Sequence, residues 1–367
     1  MPLDQQTDGE QLEQACSEQQ EPDPRERSGR YSRQERFAPI GREGQTQLGQ
    51  KHVLIVGAGA LGSMNAESLV RSGVGTVSIV DRDYVEWSNL QRQQLYTEED
   101  ALLRIPKAVA AQQHLQQINS DVTVHAVVMD LNASNIRGLV DGVDLIVDAG
   151  DNWSVRYLIN DIAEQQRIPW IYGACLGSYG VTYTIIPGKT PCLSCIMGGA
   201  ELNSASATCD LEGIIPSAVQ MVVANQTAEA LKLLTGSTIA LRGKLLSFDL
   251  WENQFTSVQV DRMKQSDCPS CGDHPSYPYL QAANQEKAAV LCGRDTVHIR
   301  PARPVKLDLM QLSQQLQSLD TRHEANPHLI SIRLDEQRIV LFADGRALVH
   351  GTSDIIRAKS LYHQFVE

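Results

Sequence analysis

The sequence predicts an α/β protein with a doubly wound, mostly parallel sheet. An antiparallel extension stapled by cysteines and a small C-terminal α+β domain should follow. Three observations predict the main sheet. An apolar, β-branched run from His52 to Val56 ends in Gly57-Ala58-Gly59-Ala60-Leu61-Gly62, a G-x-G-x-x-G turn opening a helix. A second strand, Thr76 to Val80, ends at the acid Asp81, about 20 residues further on. Strand-like and helix-like segments then alternate, as parallel strands joined by crossover helices do. Together these read as Rossmann-like.

Composition bounds the rest. A chain of 367 residues can bury a sizeable core and allows two or three domains. At 42% hydrophobic and 21% charged it is ordinary for a globular protein. A net charge of −12 argues against nucleic acid as the main partner. No apolar run approaches the roughly 18–20 residues that span a bilayer, so no membrane is expected. The first residues are polar and acidic, unlike a signal peptide. Four of the eight cysteines lie in two C-x-x-C pairs, which favours metal or thiol chemistry over disulfides and a cytoplasmic location.

Along the chain, residues 1–29 read as a disordered tail, rich in Gln, Glu, Asp, Pro and Ser. A first domain spans 30–272. In Arg30-Tyr31-Ser32-Arg33-Gln34-Glu35-Arg36-Phe37 a helix would put Arg33 near Phe37 on one face. Small residues at Gly57, Gly59, Ala60 and Gly62 let backbone N–H groups approach a phosphate at the positive end of the next helix. Asp81 can accept ribose hydroxyls. That much also fits a nicotinamide or flavin enzyme. The following turn carries Asp81-Arg82-Asp83 and then Ser88-Asn89-Leu90-Gln91-Arg92. Two carboxylates, an amide and a guanidinium suit a triphosphate better.

Pro106 suits a helix start, and Lys107 beside it opposes the helix dipole, which suggests a task on phosphates. Strands are expected at Val122–Val128 and Val143–Val147, with a short helix near Ala133–Val140 between them. The second strand leads into Asp148-Ala149-Gly150-Asp151-Asn152, beyond a carboxyl end, where ligands of open sheets bind. Asp151 is placed either to hold magnesium or to cap the helix Trp153–Gln165. Ile168–Ala174 reads as a further strand, and Tyr179–Ile186 as antiparallel.

Cys192-Leu193-Ser194-Cys195 and Cys268-Pro269-Ser270-Cys271 each offer two thiolates on one tight turn, with 72 residues between the pairs. They read as a closed four-thiolate structural zinc site, without chemistry of its own. Between them Ile196–Pro216 has weak periodicity and reads as a lid or binding segment, carrying Cys209. Ile214–Leu234 is a long helix whose stripe Ala218, Val222, Gln226 and Ala230 suits close packing, such as a dimer interface. Lys244–Asp249 and Gln254–Val260 form a hairpin. Residues 273–288 read as a linker and 289–367 as the small α+β domain. Its strands are Val297–Ile299, Leu329–Leu334 and Arg338–Phe342, and its helices Leu307–Leu319 and Ile355–Phe365. Asp344-Gly345-Arg346 makes a hairpin turn.

D-x-D-x-V-x-x-S-N-L-Q-R after a glycine-rich turn resembles the ubiquitin-activating-enzyme superfamily, and within it the MoeB/ThiF adenylyltransferases. The resemblance covers roughly Arg30 to Gly272. It implies ATP-dependent adenylation of the C-terminal Gly-Gly carboxylate of a ubiquitin-like sulfur carrier, ThiS- or MoaD-like, for thiamine or molybdopterin synthesis. Asp81 and Asp83, Asn89, Arg92 and Lys107 would serve the nucleotide. Asp151 and Asn152 match D-x-x-D-N, with Asp151 on magnesium. Ile-Pro-Lys departs from the family's G-x-P-K by losing the glycine. R-Y-x-R-Q implies a homodimer in which Arg33 reaches the partner's ATP. The resemblance carries both cysteine pairs, and Cys209 matches a cysteine that takes up the activated carrier in relatives. A nicotinamide oxidoreductase and a non-catalytic carrier-binding scaffold are the alternatives.

Overall fold

The computed structural model describes residues 29–198, 212–281, 288–290, 295–301, 305–318, 321–334 and 336–366. Cys209 and most of the stretch read as a lid lie outside the described residues, as does nearly all of the N-terminal tail.

Five parallel strands form the larger part of the main sheet: β1 (His52–Val56), β2 (Thr76–Asp81), β3 (Thr123–Val128), β4 (Leu145–Asp148) and β5 (Trp170–Leu176). Three antiparallel strands continue it, β6 (Tyr179–Ile185), β7 (Leu245–Asp249) and β8 (Gln254–Val258). The order is β3-β2-β1-β4-β5-β6-β7-β8. It reverses at β1, which pairs with β2 on one side and β4 on the other. Such a switch point opens a crevice beyond the carboxyl ends of the strands.

Helices α1 (Ala60–Arg71), α2 (Lys107–Ile118), α3 (Trp153–Gln166) and α4 (Pro216–Leu234) cover the sheet. Val53 and Ile55 of β1 face a core with Leu69, Leu115 and Leu234. Leu54 and Val56 face the other, with Tyr157, Leu158 and Ile162 of α3. Burial on both faces is why β1 is apolar throughout rather than alternating.

Two expectations are corrected. The stripe on α4 does not form a dimer interface, because Ala218, Val222, Gln226 and Ala230 are all buried within the chain. Gln226 accepts from Asn65 Nδ2 at 2.7 Å and donates to the Asp148 carbonyl at 2.8 Å, so the helix packs on α1 and the sheet. Near the N-terminus the helix Ser32–Glu35 is only four residues long, and Phe37 lies beyond it, so no helical face joins Arg33 to Phe37.

The C-terminal sheet comprises β9 (Ala288–Val290), β10 (Thr296–Ile299), β11 (His323–Ala325), β12 (Leu329–Arg333), β13 (Arg338–Phe342) and β14 (Ala347–His350), in the order β11-β12-β13-β14-β10-β9. Helices α5 (Leu309–Ser318) and α6 (Ile355–Val366) share one core with Ile339 and Leu341 of β13. Val340 and Phe342, on the alternate face, pack with Leu329, Leu348 and Tyr84 of the first domain. The stretch read as a linker also packs at first, because the Tyr279 ring stacks on Tyr157 of α3 with centroids 4.8 Å apart.

Candidate nucleotide site and thiolate cluster

The glycine-rich turn shows three different needs. Gly57 adopts φ +100°, and a Cβ there would lie 2.5 Å from the Ala149 carbonyl oxygen. A Cβ on Gly62 would lie 1.8 Å from the Gly57 carbonyl oxygen, so only glycine lets α1 pack on the turn. Gly59 is unlike both. Among the described residues a Cβ there would meet nothing closer than Gln93 Nε2 at 3.9 Å, so the space beside this backbone is open for a ligand. Ala60 begins α1 directly behind it.

Asp81 ends β2 beneath that turn. One carboxylate oxygen accepts from Ala58 N–H and the other from Asp83 N–H, both at 2.6 Å. An ionised carboxylate has about four acceptor positions, so capacity remains for hydroxyls. Burial pushes its pKa up, and Lys107 opposes that.

The next turn is zipped onto the start of α2. Lys107 N–H donates to the Asp83 carbonyl at 2.9 Å, and Val85 N–H to that of Ile105 at 2.9 Å. Lys107 is buried, its ammonium 3.5 Å from Asp83. The cation that opposes the helix dipole is thus held by a carboxylate of the turn. Asn89 is buried too, and its Oδ1 accepts from Glu86 N–H at 3.1 Å. Its Nδ2 has no hydrogen-bond partner among the described residues. Arg92 is partly exposed and donates to the Ser88 carbonyl at 2.9 Å. Asp151 is exposed at the end of β4 and does not cap α3; Asn152 does, its side chain accepting from Val155 N–H at 2.9 Å. Asn152 also donates to Asp151 at 3.0 Å. The geometry thus removes the capping alternative for Asp151 and gives Asn152 a structural task.

Sequence reasoning passed over three residues here. Arg82 lies 3.2 Å from Asp130 and 3.8 Å from Asp83. Burial works against its charge, but Asp151, Asp83 and Asp130 together raise its pKa. Gln93 is buried, with its Oε1 lacking a partner among the described residues. Arg156 is buried under the Asp151 loop, 3.3 Å from Asp148, and donates to the Gly150 carbonyl at 2.8 Å. A helical position four residues after the Asn152 cap was a signal for Arg156, since side chains there return toward the cap. Arg82 and Gln93 carried no periodic signal.

Arg33 lies far from this crevice in its own chain. Tyr31 and Gln34 of its motif bind Asn119 and Ser72, at the far ends of α2 and α1, and Gln34 also binds Gln45. Twelve residues of α1 separate Ser72 from Gly59, about 18 Å of helix. Arg33 itself points outward and is exposed.

The two cysteine pairs meet as expected. The Sγ atoms of Cys192, Cys195, Cys268 and Cys271 all lie within 4.8 Å of one another. Cys192–Cys268 and Cys195–Cys271 are 3.6 and 3.4 Å apart, too far for disulfides. Tetrahedral zinc at about 2.3 Å from each sulfur needs S···S near 3.8 Å, which this cluster fits. Mutual thiol hydrogen bonds with Cys192 and Cys271 hold Cys268 below the ordinary thiol range. Helix α3 pins both turns: Asn160 accepts from Leu193 N–H at 2.8 Å, and Asp161 accepts from Ser270 Oγ at 2.5 Å.

Fold and sites together are those of a Rossmann-type protein with a glycine-rich turn at its switch point and a thiolate staple at its antiparallel end. The chain belongs to the ThiF family, whose model matches residues 31–270. It is 53% identical over 339 residues to the sulfur carrier protein ThiS adenylyltransferase of Bacillus subtilis, covering 92% of this chain and 99% of that one. That match is longer than the family's span, so it takes in part of the C-terminal sheet. The chain is 38% identical over 260 residues to the sulfur carrier protein adenylyltransferase of Thermus thermophilus, covering 69% and 93%. A crystal structure of Escherichia coli MccB with ATP shares the fold, with TM-score 0.56, 22% identity, and coverage of 66% and 75%.

Proposed function

We propose that this protein adenylates the C-terminal Gly-Gly carboxylate of a ubiquitin-like sulfur carrier, using ATP. One observation carries the nucleotide part of this reading. Gln93 Oε1, on a side chain beside the open Gly59 backbone, and Asn89 Nδ2 of the same turn are buried without partners among the described residues. Buried polar atoms of that kind are costly unless a ligand meets them. The carrier part rests on the relatives, both of which act on sulfur carriers by name.

In the reaction a carboxylate oxygen bonds to the α-phosphorus, the α–β bridging P–O bond breaks, and pyrophosphate leaves. A carboxylate needs no base, so the chain's task is positioning and charge neutralisation. Asp81 takes the ribose, and the Gly57–Gly62 backbone takes phosphate at the N-terminus of α1. Asn89, Arg92 and Lys107 face the polyphosphate, with Asp83 holding Lys107 in place. Asp151 would hold magnesium, which supplies charge neutralisation on the polyphosphate when bound. Cys192, Cys195, Cys268 and Cys271 would hold zinc, which supplies a structural cross-link. Arg33 cannot reach across its own domain, which supports delivery to a second copy of the chain in a homodimer. Among the described residues no helix is long and apolar enough to cross a membrane, and a thiolate set suits the reducing cytoplasm.

The test is pyrophosphate–ATP exchange with purified carriers ending in Gly-Gly. A ThiS-like carrier should support exchange, and deleting its last glycine should abolish it. Exchange with MoaD-like carriers alone would reassign the pathway. ATP binding with no exchange for any carrier would leave a scaffold.

A further inference from the structure

The C-terminal sheet carries no chemistry in the sequence, yet it is built onto the nucleotide turn. Tyr84 leaves that turn and enters the apolar face made by Leu329, Val340, Phe342 and Leu348. Its hydroxyl lies 3.0 Å from Arg338 Nη2, 3.2 Å from His350 Nε2 and 3.4 Å from Glu86 Oε1. Arg338 Nη2 is also 3.6 Å from Glu86 Oε1. Around this pin, Arg346 donates to the Arg82 carbonyl at 3.2 Å, and Asn326 to that of Leu103 at 3.0 Å. Arg300 pairs with Asp130, and Arg104 with Glu324.

Glu86 leads back into the site. Its N–H donates to Asn89 Oδ1 at 3.1 Å, and its side chain accepts from Asn89 N–H in return. This reciprocal pair fixes the Asn89 amide. The oxygen is occupied, and Nδ2 is left buried without a partner among the described residues. Arg338, Glu86 and Asn89 therefore form a continuous relay from the C-terminal sheet to a buried donor of the nucleotide turn that has no partner among the described residues.

We propose that Arg338 is a positioning residue of the nucleotide site. From the C-terminal domain it holds Glu86, and through it aims the Asn89 amide at an acceptor oxygen of the ATP polyphosphate. The proposal rests on the nucleotide reading above. Such a residue fixes a group that binds ATP before and during reaction alike, so it acts on affinity rather than turnover.

The experiment uses the full-length protein and a non-hydrolysable α,β-methylene analogue of ATP, titrated by calorimetry, followed by exchange kinetics. R338A should weaken analogue binding about five- to tenfold and raise KM for ATP equally. Its kcat and its KM for the carrier should stay at wild-type values, and R338K should recover part of the loss. R333A removes another arginine of the same sheet, paired with Glu324 at 3.8 Å, and should change neither parameter. Wild-type affinity in R338A overturns the proposal, as does a lower melting temperature with unchanged KM. A wild-type protein that binds no analogue overturns both this proposal and the nucleotide reading. Binding without exchange overturns the carrier assignment alone, because Arg338 is then decided by affinity.

Discussion

At the thiolate cluster four sulfurs face one another, and Asn160, Asp161 and Ser270 pin the turns that carry them. At the nucleotide turn Asn89 Nδ2 and Gln93 Oε1 are buried without partners among the described residues, and the Gly59 backbone has open space beside it. One region satisfies itself once an ion is bound; the other is held in a conformation whose donors and acceptors wait for something else. The first should therefore fail by unfolding and the second by losing affinity or turnover. The widest test of that contrast is C268S. Structural zinc contributes on the order of 10 kcal/mol to small domains, so C268S should take metal content from about one per chain to none. It should also lower the melting temperature by more than ten degrees. Elemental analysis with thermal unfolding decides it, and a metal-free wild type of full stability would break the comparison.

D151A is the counterpart. Its side chain is exposed and makes no cap, so the melting temperature should hold while exchange falls about 10²–10³-fold. R33A should be equally stable and also slow. Mixing R33A with D151A should restore part of the activity if each site takes its arginine from the other copy; no recovery would place Arg33 outside the reaction. A sharper version uses two glycines of one turn. G62A drives a Cβ into the Gly57 carbonyl and should cost about 3 kcal/mol of stability. Among the described residues G59A meets only Gln93; it should fold normally and raise KM for ATP about tenfold, or about 1.4 kcal/mol. Equal loss of stability in the pair would mean that the space beside Gly59 is structural.

What the sequence made legible follows the same divide. Spacing alone announced the cysteine pairs, because two thiolates on one turn need only four residues. The parallel strands were legible from apolar runs buried on both faces, and β6 from its alternation. The short strands β11 and β14 were not, since three or four residues between turns leave no period to read. Asp81 and Asp151 were legible as strand-end carboxylates. The cap at Asn152 was missed because either neighbour could have made it. Arg338 lies 254 residues from Tyr84, and no local pattern links them; only the docking of one sheet on a turn of another brings them together. The α4 stripe misled for the opposite reason. Small residues signal close approach, but they do not say whether the neighbour is the same chain.

The docked junction offers the smallest effect, through His298. Its side chain is buried where the C-terminal sheet meets Arg82, Asp130, Arg300 and Arg346. Burial is the largest cause, with those arginines adding to it and Asp130 opposing, and its pKa falls to about 3. In the unfolded chain it returns to about 6.5. Between these values the unfolded state binds a proton that the folded state refuses, so stability is lost as pH falls below about 6.5. From pH 6.5 to pH 5 that is at most about 2 kcal/mol. Asp161 and Glu164, raised by burial to about 6 and about 7, work in the opposite direction, so the wild-type curve alone does not isolate the histidine. The difference between wild type and H298Q does. The variant should lose less stability than the wild type over this range in denaturant titrations, and its curve should run parallel to wild type above pH 7. Parallel curves throughout would mean that the junction opens to water before His298 titrates, and that the nucleotide turn is held less firmly than its contacts imply.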